Sequence, residues 1–269
     1  MWILFIVLLL AVLYLLSLRG RSGHPGMEEL RAWRYAHRGL HDPHKPENSM
    51  SAFRAALEGG YGIELDVHLM RDGNLAVIHD SSLKRTAGAD VRIEDLTTEE
   101  LNNYRLLGTQ EQIPLFSQVL ELFGGKAPLI VELKCEDNNY VPLCEAAMAL
   151  LDKYEGPYCV ESFDPRCVLW LKRHRPQVIR GQLAENWFLQ KNSPMPWLLK
   201  FLLACLTGNF LILPDFTAYR FADRKMFGVD ICRHLWGVQG VSWTIRSQQD
   251  LDTAEQEGWI PIFEGFIPE

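Results

Sequence analysis

The sequence predicts an α/β fold: a (β/α)8 TIM barrel with a small insertion after its second strand, preceded by one N-terminal transmembrane helix. Three observations predict it. Eight short apolar runs rich in β-branched and aromatic residues recur along the chain, longer amphipathic stretches separate most of them, and several runs end in charge. Barrels of this kind carry their active sites at the C-terminal ends of the strands.

The first element is WILFIVLLLAVLYLLSL (2–18), which has no charged side chain and reaches the short end of what a bilayer-spanning helix needs. No basic residue precedes it and no A-x-A-like site follows, so it does not read as a cleaved signal peptide. Arg19, Arg21, Arg31 and Arg34 follow it, and the positive-inside rule then places the N-terminus outside and the body in the cytoplasm. The expected organisation is a transmembrane anchor at 1–18, a linker at 19–33 containing GRSGHPG, and a barrel at 34–269 with an insertion at about 70–113. This is a single-pass membrane localisation with a cytoplasmic catalytic domain.

Strands are expected at 34–39, 62–69, 127–134, 158–163, 178–183, 210–216, 240–245 and 259–265. Helical stretches are expected at 47–60, 114–125, 141–154, 165–174 and 247–258. One segment breaks the rhythm. MRDGNLAVIHDSSLKRT (70–86) joins the second strand to a short apolar run through an Asp-Gly turn, too tightly for a helical crossover. It reads as a hairpin-like insertion over the barrel mouth, continuing through 95–108, and the placement of His79 at the site depends on that reading. The most apolar part of the body, 186–213, is broken by Pro194, Pro196 and Lys200. It reads either as a core-facing helix plus the sixth strand or as an interfacial element near the mouth that favours lipid.

Composition bounds the function. With 269 residues, 48% hydrophobic and 23% charged, the chain can bury a full core, and its net charge of −7 argues against a general nucleic-acid binder. Six scattered cysteines form no CxxC pair or zinc-like cluster and read as reduced thiols. Oligomeric state leaves no mark on the sequence.

The chemistry lies in the strand-end charges. Alternation puts Glu64 and Asp66 on one face of their strand, and likewise Glu132 and Lys134. If those faces point into the barrel, three carboxylates converge and require a cation or basic partners. A hard divalent ion, Mg²⁺ or Ca²⁺, suits an all-oxygen set, and salt bridges to Arg38 and Lys134 are the alternative. His37 and His79, each followed by a charged residue, could transfer protons near neutral pH. His41, His44, His68, His174 and His234 read as surface or packing residues.

The stretch AHRGLHDPHKPENSMSAFRAALEGGYGIELDVHLMRDGNLAVIHDSSLKRT resembles the N-terminal signature of the glycerophosphodiester phosphodiesterases, and LIVELK, VESFDP and VSWTI resemble its later blocks in order. His-Arg-Gly, Pro-Glu-Asn, Glu-x-Asp and His-Asp all recur at compatible spacing over most of 34–245. The resemblance implies metal-dependent hydrolysis of a glycerophosphodiester or lysophospholipid, releasing an alcohol and glycerol 3-phosphate or its acylated form. It implies His37 and His79 as general acid and base, and Glu64, Asp66 and Glu132 as ligands of Mg²⁺ or Ca²⁺. Arg38 and Lys134 would hold the phosphate, and Trp243 would line the substrate pocket. Glu47 and Asn48 are possible supporting residues, with a helix-cap role open for Asn48. Two departures, Arg246 after the Trp-Thr block and the FEGFIPE terminus (263–269), leave the leaving-group pocket open to Trp243, Arg246 and Glu264. A phospholipase forming a cyclic phosphate and a non-catalytic lipid-binding barrel are the competing readings.

Overall fold

In the computed structural model, which describes residues 1–190 and 195–269, strand pairing closes the sheet on itself. Its strands are β1 (Tyr35–His37), β2 (Gly62–Leu69), β3 (Leu75–Val77), β4 (Leu129–Leu133), β5 (Tyr158–Ser162), β6 (Arg180–Ala184), β7 (Phe216–Arg220), β8 (Gln239–Ile245) and β9 (Trp259–Phe263). β1 pairs in parallel with both β2 and β9, so the eight strands other than β3 form a parallel barrel. β3 pairs antiparallel with the end of β2, Val67 opposite Val77 and Leu69 opposite Leu75. The helices are α1 (Trp2–Ser17), α2 (Met27–Arg31), α3 (Met50–Glu58), α4 (Lys84–Ala87), α5 (Phe116–Phe123) and α6 (Tyr140–Leu151). They continue with α7 (Pro165–His174), α8 (Trp197–Ala204), α9 (Asn209–Ile212), α10 (Phe227–His234) and α11 (Gln248–Gln256).

The period-2 pattern of the strands separates two cores. Ile63, Leu65 and Val67 of β2, with Leu129, Val131 and Leu133 of β4, pack outward with Phe53, Phe116 and Phe123 from the helix layer. The intervening residues face inward. Ile130, Cys159, Leu183, Phe216, Val241 and Ile262 form the apolar interior of the barrel, while Glu64, Asp66 and Glu132 take the same inward face. Gly181 permits this filling, because a Cβ there would overlap the ring of Phe216. Truncating Phe216 to alanine would cost about 3–5 kcal/mol, the usual range for a buried aromatic.

Two expectations are corrected, and one open choice is narrowed. No helix is long and apolar enough to cross a membrane among the described residues. α1 has 16 residues, about 24 Å at 1.5 Å per residue, against a hydrocarbon core of about 30 Å. The arginines that suggested an orientation are parts of the fold: Arg21 pairs with buried Asp215, Arg31 donates to Gln239 at 2.6 Å and Arg34 to Glu255 at 2.7 Å. The single-pass anchor at 1–18, membrane partnership through it, and the localisation drawn from it are therefore overturned. Second, residues 210–216 are not a strand: Asn209–Ile212 is helical and β7 begins at Phe216, because an unbroken apolar run carries no period to separate helix from strand. Of the two roles open for Asn48, the cap falls to Ser49, whose side chain accepts from the Ala52 amide at 3.2 Å. In the apolar segment 186–213, residues 191–194 lie outside the described residues, and α8 exposes Trp197, Leu198 and Leu199.

Candidate active site

The barrel strands bring the charged residues to one end. Register aligns His37 with Glu64 across β1 and β2, and Asp66 with Glu132 across β2 and β4. Glu64, Asp66 and Glu132 are buried, and each offers a carboxylate oxygen within 4.8 Å of the other two. A small cavity of about 40 Å³ is lined by His37, Arg38, Glu64, His79, Glu132 and Trp243 among others.

Cations partly compensate the acids. Lys134 Nζ lies 2.8 Å from Glu132 Oε1 and 2.9 Å from Asp66 Oδ1. Arg38 enters from a turn in which Arg38 and Gly39 both have positive φ, 55° and 82°. Its Nε lies 3.4 Å from Asp66 Oδ2, and its backbone N–H donates to Glu64 at 3.2 Å. Asn48, also at positive φ, donates its amide to Asp66 Oδ2 at 2.8 Å, so it orients the acidic set.

The insertion delivers His79. The Ile78 amide donates to the Asp66 carbonyl at 3.1 Å, and buried His68 lies 3.1 Å from the His79 carbonyl and 2.6 Å from Glu94. His79 Nδ1 is 2.6 Å from Asp80 Oδ1, which leaves Nε2 for chemistry. An ion chain continues from there. Arg85 donates to Asp80 at 2.5 Å and to Glu47 at 2.7 Å, and Arg38 donates to Glu47 at 2.8 Å. Glu47 thus joins the His79 arm to the Arg38 arm.

On the other side, His37 Nε2 lies 3.8 Å from Glu64 and its Nδ1 3.5 Å from Glu264, which also contacts His41 at 3.2 Å and Arg246 at 2.6 Å. Glu264 therefore stands behind His37, and His41 is drawn to the site's rim rather than to plain surface or packing. Trp243 donates its indole N–H to the Ala218 carbonyl at 3.2 Å and meets Phe163 edge-on at 5.7 Å. Two further residues escaped the sequence reading. Glu161 lines the cavity, and Arg85 holds Glu47 and Asp80; neither sits in a pattern that distinguishes it from an ordinary strand or surface charge.

The electrostatics follow from burial. Desolvation, with Asp66 and Glu132 close by, drives the Glu64 carboxyl well above its ordinary range. Burial also raises Glu132, to about 7, against the opposing pull of Lys134. Asp66 goes the other way: burial opposes ionisation, but Lys134 and Arg38 outweigh it and hold the carboxylate ionised. Burial lowers both histidines, His79 to about 4. The acids keep an unsatisfied appetite for positive charge, and their hard oxygen donors fit a divalent cation such as Mg²⁺ or Ca²⁺.

The chain has known relatives. Residues 37–205 match the glycerophosphoryl diester phosphodiesterase family, more than half of the chain. The chain belongs to that family. A glycerophosphodiester phosphodiesterase of Caldanaerobacter subterraneus subsp. tengcongensis is 28% identical over 238 residues, covering 83% of this chain and 89% of that protein. The human lysophospholipase D GDPD1 is 34% identical over 105 residues, 34% of this chain and 33% of that protein. Among solved structures, the Oleispira antarctica phosphodiesterase in complex with sn-glycerol-3-phosphate superposes with a TM-score of 0.73 at 21% identity, over 91% of this chain and 95% of that one. That likeness shows the shared barrel. As a member of the glycerophosphoryl diester phosphodiesterase family, the chain is a phosphoric diester hydrolase, of a family whose enzymes are generally divalent-metal dependent.

Proposed function

We propose that the protein hydrolyses glycerophosphodiesters with a divalent metal ion, Mg²⁺ or Ca²⁺, held by Glu64, Asp66 and Glu132, and with His37 and His79 moving the protons. The single observation that carries this reading is the convergence of both histidines, Arg38, Glu64 and Glu132 on one cavity. When bound, the ion would supply Lewis-acid stabilisation of charge on the phosphoryl oxygens. The protein's own groups do the rest.

Arg38 and Lys134 bind the phosphodiester, Lys134 with the one N–H left after its contacts to Asp66 and Glu132. One histidine takes the proton of the attacking water, and the other gives a proton to the departing alkoxide oxygen. Depressed affinity for protons keeps a neutral imidazole available as base at neutral pH. Asp80 fixes the His79 ring through Nδ1, and Glu264 faces Nδ1 of His37, so each Nε2 is the reacting nitrogen. Trp243 walls the substrate pocket.

A groove of about 600 Å³ shares Glu132 and Phe163 with the cavity and runs from Glu132 and Lys134 past Trp187 to Leu199 and Leu203 of α8. This apolar flank supports a lysophospholipid as a substrate alongside small glycerophosphodiesters, with acylated glycerol phosphate as product. The test is turnover of glycerophosphocholine and lysophosphatidylcholine by the full chain in EDTA and after Mg²⁺ or Ca²⁺ is restored. Turnover should return with metal and fall by about 10²–10⁴ in His37→Ala and in His79→Ala. Undiminished turnover in EDTA, indifferent to both substitutions, would sink the reading.

A further inference from the structure

We propose that Glu161 is a fourth carboxylate ligand of the metal set and that it makes the site prefer Ca²⁺ over Mg²⁺. The inference rests on the metal-site reading above and concerns a residue which that reading does not use. Glu161 lies on β5 directly opposite Glu132, and Glu132 lies directly opposite Asp66. Register partners on parallel strands project to the same face, with strands about 4.8 Å apart. The three carboxylates therefore form one row across β2, β4 and β5, with Glu64 joining Asp66 and Glu132 within 4.8 Å.

Glu161 Oε2 has no hydrogen-bond partner among the described residues. The residue is 1% exposed, its Oε2 is buried without a hydrogen bond, and its side chain lines the cavity beside Glu64, Glu132 and both histidines. Ser162, its neighbour, has its hydroxyl occupied by the Leu133 carbonyl at 2.7 Å, so it does not turn to satisfy the acid. A buried carboxyl that faces three others is costly unless something joins them. Four carboxylates against Arg38 and Lys134 leave two negative charges, the complement of one divalent cation.

Ion size decides which cation. Mg²⁺ demands near-ideal octahedral geometry at about 2.0–2.1 Å, keeps several waters, and is usually met by one or two carboxylates. Ca²⁺ accepts about 6–8 oxygens at about 2.3–2.6 Å in flexible geometry. A row of carboxylates fixed on rigid strands, one of them reaching from a third strand, suits the larger ion.

The test is calorimetric titration of the metal-free full chain with Ca²⁺ and with Mg²⁺, for the wild type, Glu161→Gln and Glu161→Asp. Wild type should bind Ca²⁺ more tightly. Glu161→Gln should lose about 10–100-fold in Ca²⁺ affinity, of the size seen when groups supporting a metal site are removed, and less than about threefold in Mg²⁺ affinity. Glu161→Asp keeps the charge and loses the reach, so a ligand role requires it to weaken Ca²⁺ as well. Luminescence lifetimes of bound Tb³⁺, a calcium-sized ion, should count one more inner-sphere water in Glu161→Gln than in the wild type. Equal weakening of both ions, wild-type Ca²⁺ affinity in Glu161→Asp, or an unchanged water count would each overturn the assignment while leaving the three-carboxylate site standing. Binding of neither ion by the wild type would overturn both readings.

Discussion

Glu132 and Asp66 are neighbours with opposite behaviour, and the difference sets how the metal-free protein responds to pH. Glu132 holds its proton up to about 7 in the fold, against 4.5 when exposed, because burial outweighs Lys134. A raised folded value contributes stability that is complete below the unfolded value and is lost as pH rises through the folded one. The lowered histidines act in the opposite sense over an overlapping range, so the share of Glu132 is read as a difference: in EDTA the melting temperature of the wild type should fall relative to that of Glu132→Gln as pH rises from about 4.5 to 8, and a saturating divalent ion should restore the wild type at the upper end. A difference between the two proteins that does not change with pH would refute the account. The acids of the site were legible as strand-end charges because alternation fixes which side chains share a face. Glu161 was not: a single carboxylate in a β-run looks the same whether it faces a cavity or a salt bridge, and only the closed barrel tells the two cases apart. The choice of role for Asn48 stayed open for a related reason, since Asn48 and Ser49 are both good caps and the positive φ that turns Asn48 toward Asp66 leaves no trace in the sequence.

At the scale of elements, the insertion and α8 act on the barrel from outside it. The insertion places His79 through backbone hydrogen bonds and joins it to the first βα loop through the Arg85 bridge between Asp80 and Glu47. Arg85→Ala should lower kcat/KM about tenfold by loosening His79 and Arg38 together. Because Arg85 is half-exposed, its contribution to stability is small, and the melting temperature should move by less than about 3 °C. A large loss of stability with unchanged kcat/KM would reverse that assignment. On the opposite wall, α8 turns Leu199 and Leu203 toward the groove beside Lys134. If an acyl chain lies there, kcat/KM over a series of lysophospholipids kept below their micelle concentrations should rise with chain length, by up to about fourfold per buried methylene. Leu203→Arg should remove that rise, and a flat series in the wild type would restrict the enzyme to small glycerophosphodiesters. The barrel strands were readable from β-branched runs, but the stretch around α9 was not, because four consecutive apolar residues satisfy helix and strand alike.

At the scale of the whole molecule, α1 is the element least explained by the barrel. Residues 2–13 are exposed along their whole length, while Leu18 is fully buried and the last turn is tied to the body. Tyr14 stacks on Phe227, the Trp236 indole donates to the Leu15 carbonyl at 2.9 Å, and the Cys232 thiol donates to the Leu18 carbonyl at 3.3 Å. Arg21 then pairs with buried Asp215 and donates to the Val178 carbonyl at 3.2 Å. Composition joins 2–18 into one apolar segment, whereas packing divides it near residue 14, so hydropathy alone suggested a membrane span where the fold has a short helix rooted in a core. The two parts should separate on truncation. Deleting 2–13 removes exposed apolar surface and no buried contact, so the melting temperature should stay within about 2 °C, and light scattering at high concentration should decrease. Deleting through residue 26 takes Leu18 out of the core and leaves Asp215 buried without its arginine. Loss of the leucine alone costs about 2–5 kcal/mol, so the melting temperature should fall by roughly 5–15 °C. Equal stability of the two truncated proteins would mean that the segment from Tyr14 to Arg21 contributes nothing to the barrel, contrary to the contacts its side chains and backbone make.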